Sequence, residues 1–188
     1  MSRVDTAPAP FNSPPMAARI TLVGMRGCGK SSVGRALAER LGWPFVDADR
    51  EFELREQQSI AAWFAQRGEA AFRAAEAELL AELLQRPAPW VLATGGGVVL
   101  LPGNRQRLRA AGGLVVYLEA PQAVLEERLA RDPGRRPSLT GRPLAEEVES
   151  VLAQRAPLYR EVADLSVASD RPLADIVAEI VAALPSAR

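Results

Sequence analysis

The sequence contains no histidine. Histidine-based triads, histidine general bases and histidine metal ligands are therefore excluded from its chemistry. It has one cysteine, Cys28, so no intrachain disulfide framework is possible. Any metal must then be held by oxygen donors, which points to Mg²⁺ or a similar hard ion. Charge of either sign is not in excess: 23 basic residues balance 23 acidic ones, for a formal net charge of +0. That balance argues against a non-specific polyanion binder, and nucleic acid is not an expected partner. No apolar run approaches the ~20 residues a membrane span needs, so no membrane partner is expected. The opening "MSRVDTAPAPFNSPPM" lacks the apolar core of a secretory signal and is rich in proline. Residues 1–16 read as a disordered tail, and the expected location is the cytoplasm.

What the chain does contain is an ordinary globular composition, 48% apolar and 24% charged over 188 residues. That suffices for one domain with a buried core, expected over 17–188. "ARITLVG" reads as a buried strand running into "KSSVGRALAERLG", an amphipathic helix stopped by Gly42. "WPFVDAD" reads as a second strand that ends in two aspartates, and the long Ala/Leu-rich stretch after Ser59 as two helices split at Gly68. "WVLATGGG" and "LVVYLEA" add strands, each followed by a helical segment, and "LSVAS" with "PLADIVAEIVAAL" closes the chain. Another helix, "AEEVESVLAQRAPLYREVA", is expected to be interrupted or adjusted near Pro157. Strands alternating with helices predict an α/β fold, a parallel sheet with helices on both faces. "DPGRRPSLTGRPL" has no apolar period and reads as an exposed loop or lid, about residues 132–143.

Between the first strand and first helix, Gly24 to Ser31 matches G-x-x-x-x-G-K-[ST]. Glycines let the backbone approach a ligand, and successive N–H groups can form an anion nest at a helix N-terminus. The amides around Gly27, Cys28, Gly29, Lys30, Ser31 and Ser32 would thus cradle nucleotide phosphates. Lys30 adds a charge for the β- and γ-phosphates, and Ser31 a hydroxyl for Mg²⁺. Cys28 is taken as a small residue that fits the nest; a thiol made acidic by Lys30 is the alternative. Asp47 and Asp49 follow 17 and 19 residues after Lys30. On a strand they would share a face; one could serve the metal, the other accept a hydrogen bond from an attacking hydroxyl. Arg73, Arg136 and Arg155 could converge on an anionic ligand, and the triplet Gly95, Gly96, Gly97 would let a small ligand approach the backbone. The residues alone predict an ATP-dependent kinase of a small anionic hydroxyl compound.

The order "GMRGCGKSSVGRALAERLG", "FVDAD", "FR", "ATGGG", "RRPSLTG" and "RAPLYRE" resembles shikimate kinase over residues 18–182. The resemblance implies the nucleoside-monophosphate-kinase-like P-loop NTPase fold, with a five-stranded parallel sheet and a mobile lid. It implies transfer of the γ-phosphoryl of ATP to the 3-hydroxyl of shikimate with Mg²⁺. It assigns Asp47 to the metal and Asp49 to the shikimate hydroxyls as candidate base. Arg73 clamps the carboxylate, Gly95, Gly96 and Gly97 line the shikimate pocket, and Arg155 also binds shikimate. Arg136 closes with the lid on the transferring phosphate, and Arg131 and Arg171 flank adenine. The usual R-P-L-L of the lid reads Arg136-Pro137-Ser138-Leu139 here. A monomer is expected. Two alternatives are a gluconate kinase of the same fold and a ligand sensor without turnover.

Overall fold

The computed structural model describes residues 18–131 and 143–185. The tail expected over 1–16, all of the expected lid except Pro143, and Arg136 with it lie outside the described residues.

Five strands make one parallel sheet in the order β2-β3-β1-β4-β5. They are β1 (Arg19–Val23), β2 (Phe45–Asp47), β3 (Trp90–Ala93), β4 (Leu114–Glu119) and β5 (Leu165–Ala168). β1 lies at the centre, with Thr21 opposite Leu92 on one side and Val115 on the other. All four residues of β3, and Val115 to Leu118 of β4, are buried. Because successive side chains point to opposite faces, continuous burial means that both faces are covered, as a parallel sheet requires.

Among the described residues seven α-helices do the covering: α1 (Lys30–Leu41), α2 (Ala48–Glu56), α3 (Ile60–Gln85), α4 (Pro102–Ala110), α5 (Gln122–Ala130), α6 (Leu144–Val162) and α7 (Leu173–Ala182). α1 packs beside α7, while α6 packs against α4 and α5. α3 leaves helical geometry at Gly68, whose φ is 78°, so the split expected there is present as a break within one long element. α6 is not interrupted at Pro157 and continues as one helix to Val162. Proline removes one i→i−4 bond, but Val148, Val151, Arg155, Tyr159 and Val162 keep a single buried face across it.

α2 departs from the sequence expectation. The second strand stops at Asp47, and Asp49 lies in the first turn of a helix, so the two aspartates do not share a strand face. The cause is local: Asp47 is the N-cap, and its Oδ1 accepts hydrogen bonds from the amides of Asp49 (3.2 Å) and Arg50 (3.5 Å). A carboxylate in that role satisfies donors a helix start would leave unpaired, and so favours helix over further strand. Phe52 of α2 packs edge-on against Trp63 and Phe72 of α3, which fixes α2 and the Asp49 side chain it carries.

Candidate active site

A cavity of about 470 Å³ opens at the carboxyl ends of the strands, where open parallel sheets place their ligands. Its wall is the β1–α1 loop, with Gly27, Cys28, Lys30, Ser31 and Ser32 all contributing. Gly24, Gly27 and Gly29 have φ of 143°, 83° and 102°. Side chains rarely tolerate such values, and a Cβ on Gly24 would also lie 2.8 Å from the Leu118 carbonyl oxygen. The glycines therefore let the chain turn tightly over β4. α1 begins at Lys30, so the positive end of its dipole faces the cavity.

Lys30 is buried in the loop, its Nζ donating to the carbonyls of Gly24 (2.8 Å) and Met25 (3.0 Å). Cys28 is buried too, 3.8 Å from that Nζ, and fills the space left by Gly24, in keeping with a small residue chosen for fit. Ser31 Oγ donates to Asp47 Oδ2 at 2.7 Å. That contact brings together a hydroxyl and a carboxylate from two elements, both facing the cavity.

Asp49 lies on the cavity floor. Its residue is exposed by surface area, because the open cavity reaches it, yet protein encloses the carboxylate on its other sides. Enclosure governs the solvation of the ion and raises the Asp49 pKa to about 6. Desolvation is the largest cause; Lys30 opposes it, while Asp47, Glu76 and Glu53 add to it.

Behind the floor stands a second cluster, organised by the glycine triplet. A Cβ on Gly95 would lie 2.6 Å from Glu76 Oε1 and 2.9 Å from Asp49 Oδ1, so the two carboxylates flank that bare backbone. A Cβ on Gly97 would lie 2.1 Å from Arg73 Nη1. Arg73 is half-fixed already, by Glu76 at 2.7 Å and Glu69 at 3.4 Å. Burial raises the Glu76 pKa, an effect that Arg73 opposes. Gly96 packs on the β1–α1 loop, its Cβ position 3.1 Å from the Arg26 amide nitrogen, and its carbonyl accepts from Arg155 Nη1 (3.3 Å). Arg155 is buried, and its Nε has no partner among the described residues. Gly97→Ala is expected to keep the fold and push Arg73 aside, raising the acceptor KM about tenfold; steady-state kinetics beside a melting curve checks it, and an unchanged KM contradicts it.

The structure therefore brings Lys30, Ser31, Asp47, Asp49 and Gly96 to one cavity, with Arg73, Gly95, Gly97 and Arg155 just behind it. Arg171 reaches the cavity wall while paired with Glu179. Arg131 does not line the cavity: it is largely exposed and pairs with Glu127 at 2.5 Å. Arg128, one turn earlier on α5, lines it instead, donating to the carbonyls of Gly27 (3.3 Å) and Ser169 (2.9 Å). The available signal was helical phase, since Arg128 lies between the buried Leu125 and Leu129. Arg26 also went unread; it lines the cavity and pairs with the fully buried Glu147 of α6.

A family model described as shikimate kinase matches residues 26–185. The chain is 49% identical over 168 residues to the shikimate kinase of Nitratidesulfovibrio vulgaris, covering 88% of this chain and 95% of that one. It is 45% identical over 166 residues to shikimate kinase 2 of Salmonella paratyphi B, covering 87% and 90%. Among solved structures, the shikimate kinase of Acinetobacter baumannii in complex with shikimate superposes with a TM-score of 0.81 at 40% identity, covering 87% of this chain and 90% of that one.

Proposed function

The chain belongs to the shikimate kinase family, and on that premise we propose how its own residues carry the γ-phosphoryl of ATP to the 3-hydroxyl of shikimate, giving shikimate 3-phosphate and ADP. The amides of the loop around Gly27, Cys28, Gly29, Lys30, Ser31 and Ser32 hold the phosphates, and Lys30 exchanges its bonds to Gly24 and Met25 for the transferring group. Arg128 and Arg171 border the nucleotide at the far wall. Arg73 and Arg155 hold the shikimate carboxylate against the glycine triplet, a pairing that suits a planar guanidinium. Asp49 orients the acceptor hydroxyl and takes its proton as the oxygen bonds to phosphorus. From the resemblance, Arg136 joins Lys30 in balancing the charge on the transferring group.

Mg²⁺ fits this donor set. Ser31 Oγ and Asp47 Oδ2 are two hard oxygen atoms already 2.7 Å apart on the cavity wall. Among the described residues no cluster of three or more carboxylate or cysteine ligands exists, so phosphate oxygens and water would supply the remaining ligands. When bound there, Mg²⁺ neutralises phosphate charge and aligns the β- and γ-groups.

The position of Asp49 carries the reading. One carboxylate lines the phosphate cavity and, across Gly95, stands beside the Glu76 that anchors Arg73. Such a junction suits in-line transfer, where positioning and charge balance supply most of the catalysis. Residues 17–188 form the single kinase domain in this reading, acting as a monomer in the cytoplasm; no helix among the described residues is long and apolar enough to cross a membrane.

ADP release from Mg²⁺–ATP, compared with shikimate, with gluconate and with no acceptor, tests the reading. Turnover only with shikimate is expected. Equal turnover with gluconate, or ADP release that ignores the acceptor, overturns it, and binding without turnover makes the protein a sensor. Arg73→Ala is expected to weaken shikimate binding by roughly 2–5 kcal/mol, read as a raised KM with the ATP KM unchanged. A parent-like shikimate KM would remove Arg73 from the pocket.

A further inference from the structure

We infer that Tyr159 is a positioning residue for the acceptor, acting through the Gly96 carbonyl; the inference rests on the reading of the glycine triplet and Arg155 just given. Tyr159 lies on α6, four residues after Arg155, and is 0% exposed. Its hydroxyl donates to Gly96 O at 2.5 Å, and Arg155 Nη1 donates to the same oxygen. The ring is held by stacking on Tyr117, centroids 5.1 Å apart and planes at 25°. Burial raises the pKa of this phenol, so it remains a donor at any working pH.

The bond matters because of what the carbonyl controls. The only cis peptide among the described residues is Ala88–Pro89, so the Gly96–Gly97 unit is trans and its carbonyl and N–H point in opposite directions. Holding the carbonyl toward α6 therefore turns the Gly97 amide away from α6. Glycine has no side chain to fix that plane, and Gly97 is also where the Arg73 guanidinium rests. One hydroxyl thus fixes the plane of a peptide that touches both arginines. Without it, Arg155 is the one side chain among the described residues left on that oxygen and is drawn toward it.

Tyr159→Phe in the full-length protein removes only the donor. The expected result is a shikimate KM raised about five- to twentyfold, with kcat and the ATP KM within about twofold of the parent, because the phosphate loop is untouched. Tyr159→4-aminophenylalanine, which restores a weaker N–H donor on the same ring, is expected to fall between parent and Phe variant. Should the Phe variant fail to fold, the amino variant is compared with the parent alone, on the same split between the two KM values. An unchanged shikimate KM overturns the inference. So does a uniform loss in kcat and both KM values that tracks a fall in melting temperature, which marks a structural role only. A parent protein without shikimate-dependent turnover would instead sink the functional reading, before any variant is compared.

Discussion

Lys30→Ala is expected to lower kcat by roughly a thousandfold, about 4 kcal/mol of transition-state stabilisation, with a smaller rise in the ATP KM. Charge on the transferring phosphoryl group grows and moves during reaction, so a fixed cation inside a low-dielectric loop is worth more in the transition state than in the ground state. Lys30 meets both conditions. It is buried, and two carbonyls of its own loop, Gly24 and Met25, already hold its Nζ beside the nest. The fold should survive, because the loop's shape is set by Gly24, Gly27 and Gly29 and by Cys28 packing rather than by the lysine. Single-turnover and steady-state assays on the variant, with circular dichroism as the folding control, check this. Turnover within tenfold of the parent would remove Lys30 from phosphate chemistry.

Asp49→Asn should be nearly as damaging, lowering kcat by about 10²- to 10⁴-fold. It leaves the Ser31–Asp47 contact and the Asp47 cap in place, since the Asp49 backbone amide and not its side chain meets Asp47. The parent's pH profile gives the residue a second signature. A base works only when unprotonated, and enclosure of the carboxylate raises its pKa to about 6. Activity should therefore be full above neutrality and fall about tenfold per pH unit below 6, roughly two units above where an ordinary aspartate would place the limb. In kcat/KM for shikimate that limb belongs to the free enzyme, and it should vanish in the Asn variant. A limb near pH 4 in the parent, or one that persists in the variant, contradicts the assignment.

The residues that were legible in the sequence are those whose chemistry is local. Gly24 to Ser31 is contiguous, and its strand and helix flanks are periodic, so the glycine-rich loop between β1 and α1 is legible together with the fold class. The triplet at 95–97 was legible as bare backbone, but not what it makes room for. That Gly95 separates Asp49 from Glu76, and that Gly97 seats Arg73, are facts of three-dimensional packing between α2, α3 and the loop after β3. Glu76 carried no signal of its own among the many glutamates of α3. Strand alternation predicts a shared face for Asp47 and Asp49, whereas side-chain capping by Asp47 starts α2 and puts Asp49 in its first turn. Arg128 lies on α5 between the buried Leu125 and Leu129 and lines the cavity, whereas Arg131, the residue that caps the end of α5, is largely exposed and does not. Pro157 exerted less force than its chemistry suggests, because the buried face of α6 outweighs one missing hydrogen bond.

The most direct test is a crystal structure with Mg²⁺, ADP and shikimate bound together. The prediction is an ADP β-phosphate on the amides between Gly27 and Ser32, the shikimate carboxylate on Arg73 and Arg155, and a ring hydroxyl within hydrogen-bond distance of Asp49, facing the phosphate. Shikimate bound away from Asp49, or a nucleotide whose phosphates miss the loop, would contradict it.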